Sequence, residues 1–166
     1  TWTYDDFFSL LIFEDMGLDP DGDTQLTEAE LARLRGFDLE VWPEGFEGDL
    51  YAFDAGAKVA LGFPEVTGIA VEDGRIVSRH VRTLPDVPAA SLELRQYDPT
   101  YYVAYTLMQP VLVEGACEAV VTPHDPDEAQ EKVDMEMSRI PEDMFEQVLL
   151  GAYFADRIGF SCEHSS

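Results

Sequence analysis

Two helix-like stretches near the start of the chain are separated by Asp19-Pro20-Asp21-Gly22-Asp23-Thr24-Gln25-Leu26-Thr27-Glu28-Ala29-Glu30. Carboxylates fall at the first, third, fifth and twelfth positions of this twelve-residue window. So charged a segment stays out of a core, so the apolar runs on either side must carry the burial. The spacing is that of an EF-hand loop, and the chemistry of a hard cation explains it. Ca²⁺ takes six to eight oxygens at about 2.3–2.6 Å, so the chain has to wrap back on itself to supply them. Asp19, Asp21 and Asp23 would each give a carboxylate oxygen and Gln25 its backbone carbonyl. Thr27 would act directly or through water, and Glu30 would close the shell with both oxygens. Leu26, at the eighth position, is the apolar anchor.

Two features set this window apart from the usual pattern. Thr24 holds the sixth position, where glycine normally takes the sharp turn. Glu14 and Asp15 occupy the incoming helix where a paired EF-hand is apolar, and the chain has no second loop of this spacing. The expectation is therefore one solitary Ca²⁺ site, structural in role, within a helix–loop–helix unit at residues 4–36. Its dissociation constant would be on the order of 10⁻⁵ to 10⁻³ M, as in extracellular modules. The competing reading is an acidic turn that binds nothing.

Capping signals place the flanking helices. Thr3-Tyr4-Asp5-Asp6 opens the first, whose run from Phe7 to Met16 is apolar around most of its circumference and predicts a well-buried helix stopped by Gly17. Thr27 to Glu30 opens the second, which carries Leu31 and Leu34 to Gly36. Short β-forming segments follow at 50–53, 58–61, 68–71, 75–82, 91–96 and 101–108, with another strand or two within 111–122. Asp73-Gly74 is a hairpin turn, since glycine accepts the positive φ of a primed turn. Helical patterning returns over 127–139 and 141–155, and 157–162 closes the sheet. Together these predict a single α+β domain over 1–166: an antiparallel sheet with helices at both chain ends, packed on one face.

Of the 166 residues, 34 are acidic and 10 basic, a net charge of −24. That balance repels polyphosphate and anionic lipid, so nucleic acid is not an expected partner, and cations are attracted. The acid sits mainly at the ends: residues 1–50 hold 14 acids and 2 bases, whereas 51–123 hold 9 and 5. No apolar run approaches the roughly 18 residues of a spanning helix, so membrane insertion is not expected. The chain opens at Thr1 without an initiator Met or signal peptide, consistent with a mature or truncated form.

Cys117 and Cys162 are the two cysteines, 45 positions apart in strand-like settings and without a Cys-x-x-Cys. A disulfide tying the last strand to the sheet is the preferred reading; two buried thiols in a reducing compartment is the other. His80, His124 and His164 are scattered and not at ligand spacing. Tyr97-Asp98-Pro99-Thr100-Tyr101-Tyr102 reads either as a partner surface built on Tyr97, Asp98, Tyr101 and Tyr102 or as a turn whose tyrosines pack the sheet. The nucleophile elbow, the phosphate loop, the dinucleotide fingerprint and His-Glu-x-x-His are all missing, and no catalytic function is expected.

Several segments, in order, resemble a bacterial family catalogued as domain of unknown function 1007. They are Trp2-x-Tyr4-Asp5-Asp6-x-Phe8-Ser9, Glu14-Asp15 with the acidic loop, Asp73-Gly74-Arg75, the Tyr97–Tyr102 turn, Gly115-Ala116-Cys117, and Phe154-Ala155-Asp156 through Cys162. The resemblance implies a periplasmic or secreted protein of Gram-negative bacteria, loosely described as a transport-system component. Members often accompany a nickel/cobalt-type membrane exporter, which is the implied partner. They usually begin with a His-Pro-His segment ahead of the Trp2 region. This sequence starts at Thr1 without that segment, through truncation, disorder or loss, so no residue here carries a role resting on those histidines. The functional expectation is a non-catalytic calcium-binding accessory of divalent-metal or solute transport. The second is an acidic secreted protein–protein interaction module with a structural calcium.

Overall fold

The computed structural model describes residues 1–40, 42–108, 110–141 and 149–162. In chain order its elements are β1 (Trp2–Thr3), α1 (Asp6–Met16), α2 (Glu28–Leu34), β2 (Leu50–Asp54), β3 (Ala57–Val59), β4 (Glu65–Glu72), β5 (Arg75–Val81), β6 (Leu92–Gln96), β7 (Cys117–Thr122), α3 (Pro126–Met137) and β8 (Arg157–Cys162). Short 3₁₀ turns lie at Phe37–Leu39, Ala89–Ser91 and Gly151–Phe154. The class is α+β, with antiparallel pairing throughout. In place of the single expected sheet there are two, ordered β1-β5-β4 and β3-β2-β6-β8-β7. The β4–β5 hairpin gives its open edge to β1, far upstream in sequence, with Trp2 opposite Ser78 and Thr3 opposite Val77.

The chain forms two compact units, Thr1–Glu44 with Gly62–Thr83, and Gly45–Leu61 with Leu84–Ser166. In the first, Phe13, Leu18, Leu34 and Ile76 form the core, with Tyr4, Ile12, Met16, Leu26, Phe37, Ile69 and Val71 packed against it. Ser9, fully buried on α1, accepts a hydrogen bond from the Ile76 amide at 3.0 Å, and so small a side chain lets α1 approach β5 closely. Asp5, not Thr3, caps this helix, its carboxylate accepting from the Phe8 amide at 2.7 Å, because Thr3 is committed to β1. Gly17 ends it in the left-handed region at φ 59°, as the sequence predicts.

Burial of α1 is much narrower than its composition predicts. Phe7 is 79% exposed, Leu10 50% and Leu11 41%, and only Ser9 and Phe13 are fully buried. Packing covers the stripe facing β5, and an apolar sequence does not by itself supply a neighbour for the opposite face.

In the second unit, β6 lies between β2 and β8, and Tyr51, Ala52, Ala129, Ala155 and Ile158 are buried. Cys117 and Cys162 face each other in the β7–β8 register and are joined by a disulfide. Closing a loop of 45 residues this way contributes about 4 kcal/mol in the chain-entropy account. Asp125 caps α3 through the amides of Asp127 and Glu128, with Pro126 in its first turn. α3 lies between β7 and β8, so the last described element is a strand and not a helix. Residues 142–148 of the expected 141–155 helix lie outside the described residues; 151–154 form a 3₁₀ turn. The strand expected at 101–108 does not form, since Asp98 captures the amides of Thr100, Tyr102 and Val103 and withholds them from a ladder, whereas the stretch 111–122 supplies one strand, β7.

Candidate metal-binding loop

The acidic window joins α1 to α2, and both of its shoulders are anchored in apolar packing. Leu18 is in the core of the first unit, and Leu26 packs against that core. Asp19 organises the turn between them. Its Oδ1 accepts from the Asp23 amide at 3.0 Å and its Oδ2 from the Thr24 amide at 3.1 Å, while its carbonyl accepts from Gly22 at 3.1 Å. Asp23 in turn accepts from the Gln25 amide at 2.8 Å. This wrapping brings one carboxylate oxygen each from Asp19, Asp21 and Asp23 within 4.8 Å of one another. Asp21 and Asp23 are exposed, Asp19 partly buried.

Wrapping so tightly requires left-handed backbone. Gly22 lies at φ 70° and Thr24, at the sixth position, at φ 60°. Glycine takes this conformation freely, whereas for threonine it costs on the order of 1–2 kcal/mol. Thr24 is held there by its amide bond to Asp19 and by its hydroxyl, which donates to the Asp23 carbonyl at 2.7 Å.

Not every expected ligand joins the cluster. Glu30 and Thr27 form a reciprocal capping box at the start of α2. Glu30 Oε2 accepts from the Thr27 amide at 2.8 Å and hydroxyl at 2.7 Å, and Oε1 accepts from the Asp19 amide at 3.2 Å. The Thr27 hydroxyl and then its amide hold the Glu30 carboxyl below the usual carboxylate range. Glu30 therefore reaches back to the first loop residue, but its oxygens serve two amides and the Thr27 hydroxyl. The Gln25 side chain lies 3.4 Å from Asp23 Oδ2. The chemistry of the convergent donors suits a hard cation. Three carboxylates this close repel one another, and one divalent ion would convert that repulsion to attraction.

A cleft of about 440 Å³ adjoins the loop, lined by Asp23, Thr24, Gln25 and Leu26 on one side and by Val71, Asp73 and Gly74 of the β4–β5 hairpin on another. The Asp73-Gly74 turn forms as predicted, at φ 52° and 78°. A single sequence carries no signal that this turn sits against the loop, with a Cβ on Gly74 meeting Thr24 at 3.7 Å.

In the second unit the tyrosine turn divides its residues. Tyr97 stacks on Tyr51 with centroids 4.4 Å apart, and Tyr101 stacks on Phe154 at 4.3 Å. Tyr102 is 93% exposed. Asp98 sits at the centre, accepting from the amides of Thr100, Tyr102 and Val103 and from the Thr100 hydroxyl, all at 2.7–2.9 Å. Burial alone would raise its pKa, and these donors bring it below the ordinary value. The turn is pinned where the Gly151 amide donates to the Pro99 carbonyl at 3.1 Å, and a Cβ on Gly151 would stand 1.7 Å from the Asp98 oxygen. His124, which sequence spacing gave no role, is held by Asp156: the ring Nδ1 lies 2.9 Å from Oδ1, and the amide donates to the same oxygen at 3.0 Å.

Fold and loop together define an α+β protein with two antiparallel sheets, one disulfide and a carboxylate-lined helix–loop–helix. The chain belongs to the DUF1007 family, proteins of unknown function, whose family model matches residues 1–162. No curated protein and no solved structure matches it.

Proposed function

We propose that this protein binds one Ca²⁺ in the Asp19–Glu30 loop and serves, without catalysis, as a periplasmic or secreted accessory to divalent-metal or solute transport. The convergence of the Asp19, Asp21 and Asp23 oxygens carries the reading. Those residues would hold the ion, with the Gln25 carbonyl and Thr27 completing the donor set. Glu30 would contribute by exchanging its present hydrogen bonds to Asp19 and Thr27 for the ion. The ion would fix the relation between α1 and α2 and offset repulsion in the loop. The disulfide supports an oxidising compartment, where millimolar calcium would keep so weak a site filled. The transport role, with a nickel/cobalt-type exporter as partner, follows from family resemblance. Exposed Tyr102 beside the Asp98 turn favours a second reading, docking of a protein partner.

Isothermal titration with Ca²⁺ tests the first claim. One saturable site at micromolar to millimolar affinity, lost in Asp23→Ala, is the expected result. No heat at any concentration, or binding unaffected by Asp23→Ala, would sink it. Titration with Ni²⁺ and Co²⁺ on calcium-saturated protein then separates direct metal handling from a purely structural ion.

A further inference from the structure

The outward face of α1 is apolar for two turns and acidic in the last. Phe7, Leu10 and Leu11 lie at i, i+3 and i+4, so they share one side of the helix, and all three are exposed. Phe8 flanks them, its ring stacked on Tyr4 with centroids 5.1 Å apart. Glu14 lies one turn beyond Leu10 and Leu11 with Asp15 beside it, and both are exposed. Charge is compensated at one end of this stripe and not at the other. In the first turn the acids are already engaged: Asp5 caps the Phe8 amide, and Asp6 is paired with Arg75 at 2.5 Å. The last turn holds no basic residue, and among the described residues neither Glu14 nor Asp15 forms a salt bridge. Arg33 reaches this end of the helix but bonds the carbonyls of Met16 and Gly17. Two carboxylates thus stand without a bonded cation at the negative end of the helix dipole, where acid is unfavourable.

We propose that this face of α1 docks a basic amphipathic helix of a partner protein, its apolar side over Phe7, Leu10 and Leu11 and its Lys or Arg side chains over Glu14 and Asp15. Spacing of three and four residues is how one helix presents anchors to another. The uneven charge sets the direction. Asp5 and Asp6 are engaged already, so the basic end of the partner lies toward the C-terminus of α1, where it meets both carboxylates and the dipole. A second copy of the chain is a poor occupant. Residues 5–16 contain no Lys or Arg, so the same patch on a twofold-related copy brings no cation to Glu14 and Asp15. Two chains of net charge −24 also repel one another. An anionic bilayer is repelled likewise, and a neutral one would strip water from the two carboxylates without supplying a counter-charge. None of these residues is a ligand of the proposed calcium site, so the inference stands without the ion.

The probe is a labelled synthetic peptide of about 18 residues, long enough to be helical, with leucines along one face and lysines beside them. It is titrated with the full chain by fluorescence anisotropy, in chelator and at about 0.15 M salt, where long-range attraction to an acidic chain is screened. One peptide binds per chain, saturably and in the micromolar range. A peptide of the same composition with its leucines scrambled binds about tenfold more weakly or less. Leu10→Ser weakens binding by about fivefold or more, and Phe7→Ser, equally exposed to solvent, does the same if the first variant does not fold. Glu14→Gln with Asp15→Asn weakens it too and flattens its dependence on salt. Leu112→Ser, exposed in the other unit, leaves it unchanged. So does Asp23→Ala, which keeps failure of this proposal distinct from failure of the calcium reading. Equal binding of the scrambled peptide would reduce the effect to a general attraction of cations and overturns the proposal, as does undiminished binding in the folded serine variant. A chain that sediments as a dimer, and as a monomer in Leu10→Ser, would assign the face to a second copy and overturns it as well.

Discussion

Asp19 and Asp98 each build a loop by accepting backbone amides, and each loop contains a side-chain-bearing residue at φ 60°, Thr24 in one and Tyr101 in the other. The loops nevertheless end in opposite chemical states. Around Asp98, one carboxylate meets four donors and the turn is complete. Around Asp19, the two further carboxylates of Asp21 and Asp23 crowd within 4.8 Å, and no cationic side chain of the described residues is bonded to them. An aspartate that organises a loop is thus a structural device in both places. Only the first carries surplus negative charge, which a cation would offset.

Calcium should give the largest separation. Loading at a hundredfold excess over the dissociation constant stabilises by about 2.7 kcal/mol, a rise in melting midpoint of roughly 5–10 °C. Calorimetry with calcium and with chelator should show that rise in the parent chain and in Asp98→Ala, and none in Asp23→Ala. A rise surviving Asp23→Ala would mean that the ion binds elsewhere.

Gly151→Ala attacks the Asp98 turn from outside. The new methyl group cannot coexist with the Asp98 carbonyl, so the 3₁₀ turn or the loop must move, at a cost of about 2 kcal/mol as for other overpacked sites. Chemical denaturation should report that loss whether or not calcium is present. A loss below about 0.5 kcal/mol would show that the two segments yield easily.

How much of this was legible beforehand depended on whether the cause was local. The capping box at Thr27 and Glu30, the Gly17 stop and the Asp73-Gly74 turn are written in adjacent residues, and each forms. Adjacent residues could not show that β5 would recruit β1, that α1 would bury only one stripe, or that His124 would meet Asp156, 32 positions away. The strand expected at 101–108 failed for an instructive reason: its tyrosines and valine favour a strand, but Asp98 takes the amides that a ladder would need. In the acidic loop, the Asp19, Asp21 and Asp23 oxygens lie close together and the cap holds Glu30, while the bond from the Asp19 amide to Glu30 Oε1 depends on side-chain direction.

The two strained residues offer a subtler contrast. Thr24→Gly relieves left-handed strain of about 1–2 kcal/mol, loses a hydroxyl that is exposed, and raises the entropy of the unfolded chain, for a net gain of about 0.5 kcal/mol. Tyr101→Gly relieves the same strain but removes the ring stacked on Phe154, and should lose about 1 kcal/mol. Urea midpoints of opposite sign check the pair; two gains would mean that the tyrosine stacking contributes little.

The smallest effect lies in acid. Asp98 has its folded pKa below 3.8, so its contribution is fully present well above that value and is lost as pH falls through 3.8 toward the folded pKa. Asp98→Asn cannot recover that contribution, because its amide nitrogen is a donor turned toward donors. The variant should therefore be less stable than the parent at pH 7 and should lose less on acidification, the two stability curves converging below about pH 4. Glu30 has the same sign, its pKa lowered first by the Thr27 hydroxyl, but calcium would replace that hydrogen bond as the partner of its carboxylate. Added calcium should thus reshape the acid limb contributed by Glu30 and leave that of Asp98 unchanged. Parallel denaturation series from pH 7 to pH 3, with and without the ion, measure both, and an Asp98→Asn curve that runs parallel to the parent would show that the turn does not depend on the charge at its centre.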